Sequence, residues 1–393
     1  MNKSWEYKKI GDVCTVERGG SPRPIDKFIT DDENGINWIK IGDTTDSMYI
    51  THTAQKIIPE GMKKSRHVKP GDFLLSNSMS FGRPYILQID GCIHDGWLVL
   101  RDDNELFDKR FLYYYLSSKT TYEKFKSMAV GGVVNNLNSE MVRKVEVPIP
   151  DKAEQSDVAD LMDRLSKVID DRKKELECFD ELIKARFVEM FGSIYEDKFP
   201  RCQLREVAHI KHGYAFAGEY FSDDDNGIVL VTPGNFALGG GFQETKNRYF
   251  TADYSDEYVL HAGDLIVTMT DLSKKADTLG YGAIVPDTGR TYLHNQRIGL
   301  FDYLDERLNP VFVRWYMQTE EYRLEIVRTS TGSTVHHTSP DRILNSIIYI
   351  PPLEEQNKFV LFVKQVDKSK VVVQKALDET QLLFDSLMQG YFG

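Results

Sequence analysis

IPDKAEQSDVADLMDRLSKVIDDRKKELECFDELIKARFVEMFG at residues 149–192 and IPPLEEQNKFVLFVKQVDKSKVVVQKALDETQLLFDSLMQGYFG at residues 350–393 are two versions of one segment. Each opens on Ile-Pro, carries Glu-Gln (Glu154-Gln155; Glu355-Gln356) and closes on Phe-Gly (Phe191-Gly192; Phe392-Gly393). From Gln155 to Gly192 and from Gln356 to Gly393 are 37 positions each, with no proline inside either. Proline would remove a helical hydrogen bond, so its absence permits an unbroken helix of roughly 50 Å in each half. In the second, Phe359, Val366, Val373, Thr380 and Leu387 recur every seven residues, with Phe362, Ala376 and Leu383 between them. That repeat is a coiled-coil seam. In the first, Val158, Leu161, Leu165 and Val168 begin a seam and Arg172 interrupts it. Leu176, Phe179, Ile183, Phe187 and Met190 then resume it one position later. Two helices of equal length in one chain most simply pack on each other, with packing on a partner's helices as the alternative.

Working outward, the repeat covers both halves of the chain. The offset of 201 holds from Phe111 and Tyr115 (Phe312 and Tyr316) through Gly131 and Val134 (Gly332 and Val335) into the helices. Upstream, Ile10–Val13 matches Leu204–Val207, Trp38–Asp43 matches Leu230–Asn235, and Gly71–Leu75 matches Gly263–Val267. His94 is paired with His294, which implies eight residues added in the second copy. Apolar runs rich in Ile, Val, Phe and Tyr, punctuated by Gly, Pro, Asn and Asp, predict strands and turns early in each half. Helices are predicted over 109–128 and 310–327. The reading is an α+β chain with two similar mixed α/β domains, 1–150 and 193–350, related by a pseudo-two-fold. A central spacer helix at 151–192 and a C-terminal one at 351–393 separate them. A shared scaffold with divergent loops suits two domains that read different targets.

The 393 residues are 41% hydrophobic and 28% charged, which is ordinary for a globular protein of two or three domains. No run of eighteen apolar residues and no signal-like start occurs, so neither secretion nor membrane insertion is expected and a cytoplasmic setting fits. Cys14, Cys92, Cys178 and Cys202 lie far apart without a Cys-x-x-Cys pair, which argues against a disulfide framework or a zinc site. The net charge of −11 opposes nucleic-acid binding at first sight. It is unevenly spread, however: residues 1–150 sum to +1, 151–192 to −4, 193–350 to −7 and 351–393 to −1. Any DNA contact must therefore use small basic patches on an acidic body, with partners supplying further phosphate contacts.

Two globular domains, each followed by a matched helix that opens on Ile-Pro-x-x-x-x-Glu-Gln, resemble the specificity subunits of type I restriction-modification enzymes across the whole chain. Trp38-Ile39-Lys40-Ile41-Gly42-Asp43, Pro70–Ser76 and the terminal Phe-Gly of both helices support the likeness. The resemblance implies two target-recognition domains, each reading half of a bipartite duplex-DNA target, spaced by an antiparallel coiled coil. It implies partners as well: two modification subunits that methylate adenine N6, and restriction subunits that translocate and cut DNA. S-adenosylmethionine, ATP and magnesium belong to those partners, and this chain needs no cofactor of its own. The turn after Gly71-Asp72 is near the family's Ser/Arg/Gly-rich pattern, whereas Thr268–Lys275 departs from it.

Candidate DNA contacts follow from residue chemistry. Lys63, Lys64, Arg66, His67 and Lys69 form a basic run before Pro70-Gly71, otherwise a solvated loop. Ser76, Asn77, Ser78 and Ser80 are small polar residues that approach bases, and Arg83 suits guanine or phosphate; the plain alternative is a tight turn. Thr268, Thr270, Ser273, Lys274 and Lys275 are their counterparts. Asn295, Gln296 and Arg297 carry bidentate base-reading groups, where the first copy is expected to hold Asp95, Gly96 and Trp97. His336 and His337 point oppositely if extended, so a polar or DNA-facing loop is expected there and not a metal pair. Phosphate-loop, zinc-protease, nucleophile-elbow and adenine-methyltransferase motifs are missing, which predicts a chain that is not catalytic by itself. The competing reading from another class is a scaffold with two repeated domains that binds proteins and not DNA.

Overall fold

The computed structural model describes residues 5–77, 82–129, 136–332 and 334–393. Its packing divides the chain into two units, Met1–Lys174 with Gln374–Gly393, and Glu175–Val373. The boundaries of these units pass through the middle of both long helices, whereas the sequence boundaries lie at the helix ends.

In the first unit one sheet runs in the order Thr15–Arg18, Trp97–Arg101, Phe73–Ser76, Pro84–Leu87 and Tyr49–Ile50. The other runs Ile29–Thr30, Gln55–Ile57, Ile36–Ile39, Gly91–Ile93 and Arg66–Val68. The second unit repeats this plan. Its first sheet runs Ala208–His212, Ile298–Leu304, Leu265–Thr268 and Gly282–Ile284, and its second Phe221–Ser222, Tyr249–Phe250, Ile228–Val231, Thr291–His294 and Val259–Leu260. In the second sheet of each unit one parallel pair sits among antiparallel ones, Ile36–Ile39 with Gly91–Ile93 and Ile228–Val231 with Thr291–His294, and the first unit has a further parallel pair, Tyr49–Ile50 with Pro84–Leu87, at the edge of its first sheet. The fold is α+β, duplicated.

Strand register corrects one equivalence. Gly91 pairs with Val68 and Trp97 with Ser76, while Tyr292 pairs with Leu260 and Ile298 with Thr268. The offset of 201 therefore already holds at Gly91, and His94 is equivalent to Asn295, not to His294. Nine residues have been added, not eight. Six lie between Ser76 and Pro84, since Pro84 takes the place of Gly282, and three lie between Leu87 and Gly91. Both histidines are drawn to the turn by local chemistry, which is why single-residue matching misled.

The helix predicted over 109–128 is two, Lys109–Ser117 and Lys119–Ala129, and that over 310–327 is Pro310–Tyr316 and Glu320–Thr329. Ser118 breaks the first with extended backbone, and its hydroxyl donates to Thr121 at 3.0 Å. The long helices are Lys152–Phe191 and Leu353–Phe392, 40 residues each. Their opening motif has a structural cause. Gln155 is fully buried: its Oε1 accepts from the Asp108 N–H at 2.7 Å, and its Nε2 donates to Leu106 O at 3.1 Å and Pro150 O at 2.9 Å. Gln356 does the same with the Asn309 N–H at 2.8 Å, Arg307 O at 2.8 Å and Pro351 O at 2.8 Å.

Each unit contains an antiparallel pair of segments from the two helices. In the first, Arg172 donates to Ala376 O and Thr380 Oγ1, so the residue that interrupts one seam meets the polar position of the other. In the second, Lys370 pairs with Asp180 at 2.8 Å and Phe187 packs on Phe359 at 5.3 Å. The seam drifts from a strict heptad: Val168 and Leu383 are exposed, while Ile169 and Leu377 are buried. A straight helix has 3.6 residues per turn, so a heptad stripe rotates away, and these helices also pack on the sheets' flanking helices. The terminal Phe-Gly residues cap the two cores reciprocally. Phe392 packs on Phe111 and Tyr115 in the first unit, and Phe191 on Phe312 and Phe359 in the second.

Candidate nucleic-acid interface

In the first unit the strand Thr15–Arg18 ends at Gly19, where a Cβ would lie 2.1 Å from the His94 carbonyl oxygen. Only glycine lets these two backbones close up. The Gly19 N–H donates to Trp97 O at 2.9 Å and Gly20 to Ile93 O at 3.2 Å, clamping the 19–23 segment on the 94–97 turn. At the turn, Asp95 accepts from Ser21 Oγ at 2.6 Å and Arg23 at 3.4 Å, and its backbone oxygen accepts from Arg18 at 3.1 Å and Asn77 at 2.7 Å. The Ser21 hydrogen bond holds the Asp95 carboxyl below the usual range. Arg18, Arg23, Lys63 and Lys64 are exposed around it. Lys64 lies over the Phe28 ring at 5.3 Å, and Arg66 is half-buried and paired with Glu17 at 3.0 Å.

The predicted contacts of this half separate into two kinds. Lys63, Lys64, Arg66 and Lys69 are accessible; Lys69 lies at the far end of the strand Arg66–Val68 beside Asp72. Arg83 is exposed but pairs with Asp46 at 3.5 Å and covers Tyr85 at 5.4 Å. Ser76 and Asn77 are buried, and Asn77 supports the turn from within. Their polarity satisfies the scaffold. Ser78 and Ser80 lie outside the described residues.

The second unit builds the same clamp. A Cβ on Gly213 would lie 2.2 Å from the Asn295 carbonyl oxygen. Tyr214 N–H donates to His294 O at 2.8 Å and Gln296 N–H to Tyr214 O at 2.9 Å. Asn295 is buried and its Oδ1 accepts from the Arg297 N–H at 3.0 Å, which leaves Gln296 and Arg297 exposed at the tip. Met269 N–H donates to Arg297 O at 2.9 Å, bringing the Thr268–Lys275 stretch alongside. Thr268 and Thr270 are buried, and Thr270–Asp271 pairs with His336–His337. Burial would raise the Asp271 carboxyl, but hydrogen bonds from Thr278 and Ser273 hold it below its usual range. The loop it organises presents Lys274 and Lys275 to solvent, with Ser273 half-buried.

His336 is half-buried. Both its ring nitrogens are enclosed without a hydrogen-bond partner among the described residues, whereas His337 is exposed and its Nδ1 sits 3.2 Å from Thr270 Oγ1. The alternation of an extended segment holds, and it favours His337 for any contact with DNA. Sequence reasoning also missed Arg18, Arg23, Tyr214 and Tyr258 beside the turns. The available signal was Gly19-Gly20 and Gly213 directly after a strand, which marks close backbone approach.

Among the described residues no group of three or more His, Cys, Asp or Glu is placed to hold a metal, and no helix is long and apolar enough to cross a membrane. The family described as the type I restriction modification DNA specificity domain matches residues 2–177 and 196–380. The MjaVIII type I restriction enzyme specificity subunit of Methanocaldococcus jannaschii is 22% identical over 96% of this chain and 90% of its own length. The EcoKI specificity subunit of Escherichia coli is 24% identical over 99% of this chain and 88% of its own. The crystal structure of the type I restriction-modification S subunit of M. genitalium superposes with a TM-score of 0.57 at 14% identity, covering 100% of this chain and 97% of that one.

Proposed function

The chain belongs to the type I restriction-modification DNA specificity family, and from that membership we propose that it is the sequence-reading subunit of such a system, each unit reading one half of a bipartite duplex target. The observation that carries this reading is the repeated clamp: Gly19 against His94 and Gly213 against Asn295 hold two turns in the same place on the same scaffold. The side chains exposed on those turns differ between the halves. A conserved frame with changed surface groups is what two recognition sites for different sequences require.

Phosphate contacts from Arg18, Lys63, Lys64, Lys274 and Lys275 position the duplex, and Gln296, Arg297 and His337 carry groups suited to base edges. The chain transfers no methyl group and cuts no DNA by itself; two modification subunits and the restriction subunits do so with S-adenosylmethionine, ATP and magnesium. The setting is cytoplasmic.

The test is a base-resolution map of N6-methyladenine in host DNA with and without this gene, followed by exchange of residues 1–150 for the equivalent part of a relative. The expected result is a split motif that disappears with the gene and changes in one half only after the exchange. A motif unaffected by deletion, or altered in both halves by the exchange, overturns the reading.

A further inference from the structure

The same face of the two units carries opposite chemistry. Strand register and the glycine clamp place Arg18 where the second unit has His212, Gly20 where it has Tyr214, Pro22 where it has Phe216, Lys64 where it has Asp256 and Arg66 where it has Tyr258. Beside the first turn stand Arg18, Arg23, Lys64 and Arg66, of which Arg23 is paired with Asp95 at 3.4 Å and Arg66 with Glu17 at 3.0 Å. Around the second stands a patch of rings, with Lys211 over the Tyr258 ring at 5.8 Å. Tyr214 packs on Tyr258 at 4.7 Å and on Phe216 at 5.1 Å, and Phe216 on Phe250 at 4.9 Å. Tyr214 is 49% exposed, and Phe216 and Tyr258 are half-buried. The patch joins the candidate reading turn through the Tyr214 carbonyl, which accepts from the Gln296 N–H at 2.9 Å. Glu257 is occupied by Lys211 at 3.2 Å, while Asp256 is exposed.

We propose that the second half adds to its phosphate contacts a grip that the first half lacks: Tyr214 and Tyr258 press their rings on deoxyribose and thymine methyl groups beside Gln296, where the first turn relies on its cations alone. This rests on the DNA-reading assignment above. An acidic side chain at position 256 repels phosphate, so it excludes the backbone contact made by Lys64 in the other half. Rings bury apolar area without releasing counterions, so their contribution is independent of salt.

The experiment uses the full chain assembled with its modification subunits and a labelled duplex carrying the motif found by the methylation map. Affinity is measured by anisotropy across a salt series. Arg18→Gln, Arg23→Gln and Lys64→Gln are each expected to lessen the slope of log affinity against log salt by about 0.9 where a phosphate contact is lost. Tyr214→Ala is expected to weaken binding about tenfold with an unchanged slope, and Tyr214→Phe to retain most of the affinity. Unchanged thermal melting of each variant establishes that the fold survives.

A Tyr214→Ala variant that binds DNA as tightly as the parent overturns the inference, as does one whose salt slope falls with its affinity. Loss of assembly with the modification subunits at undiminished DNA affinity would assign the patch to a protein partner and overturn it as well. If neither the cationic nor the aromatic substitutions alter binding while the parent complex binds its motif, the location of the reading face fails first, and the inference with it.

Discussion

Gln155 is the sharpest place to test why the helix-opening motif exists. Gln155→Leu keeps the side-chain volume close and removes three hydrogen bonds, to the Asp108 N–H and to the carbonyls of Leu106 and Pro150. The site is fully buried, so water does not replace them. At about 1 kcal/mol net per bond the loss is roughly 3 kcal/mol, and the stranded backbone groups raise it to about 3–5 kcal/mol after the apolar gain of leucine. For a unit of this size each kcal/mol shifts the melting midpoint by about 2–4 °C, giving a fall of about 6–20 °C. Gln356→Leu removes the matching bonds in the other unit and should have a similar effect there. Calorimetry gives the midpoints, and hydrogen exchange assigns each effect to its unit through the helix that starts at Lys109 or at Pro310. A shift below 2 °C for both variants, or loss of protection in the wrong unit, would refute the claim that these amides join strand, helix cap and long helix.

Gly280→Ala places a side chain at φ +74° with its Cβ 2.7 Å from Ile326, and should cost about 2–4 kcal/mol by chemical denaturation. Burial lowers the pKa of His94 and His294, so the folded chain takes up protons at these rings less readily than the unfolded chain, which does so below about pH 6.5. Stability should therefore be fully present above pH 6.5 and fall on acidification toward pH 5, by at most about 1.4 kcal/mol per pH unit for each histidine. His294→Gln should flatten that profile in a denaturation series. Burial pushes the Cys14 thiol up to about 12 and that of Cys92 to about 11, while Cys178 is exposed. Mass spectrometry after iodoacetamide treatment at pH 8 should find Cys178 modified first, with the two buried thiols protected until unfolding. One heptad added to both long helices adds about 10 Å, so the unread gap of the methylated motif should lengthen by about three base pairs with both half-sites unchanged.

Repetition made the architecture legible: one offset ran from the 109–129 region to the chain end, and two proline-free segments announced the long helices. Side-chain placement was less so. Ser76, Asn77, Thr268 and Asn295 are polar types that read as contacts, yet the structure buries them as supports for turns. A sequence does not distinguish a polar group facing solvent from one satisfying a backbone carbonyl, because that depends on which strand lies alongside. Tyr214 and Tyr258 carried no signal in the sequence for the same reason. Tyr214, next to the clamp at Gly213, is half in solvent, and Tyr258 packs on it from a separate strand edge at 4.7 Å.

That clamp has a counterpart at the hairpins. Gly82 N–H donates to Ser76 O at 2.8 Å and Gly280 N–H to Thr268 O at 2.8 Å, both glycines with positive φ. The chain between these clasps is five residues in one copy and eleven in the other, counted along the sequence. Each clasp closes in the same way whatever the length it encloses. In the longer copy the enclosed stretch is only partly variable: Met269, Ala276 and Leu279 belong to the second unit's core, whereas Lys274 and Lys275 face solvent and can change without repacking it. A lineage under pressure to recognise new sequences would thus find its cheapest variation at the solvent-facing positions of that stretch, behind a fixed glycine clasp.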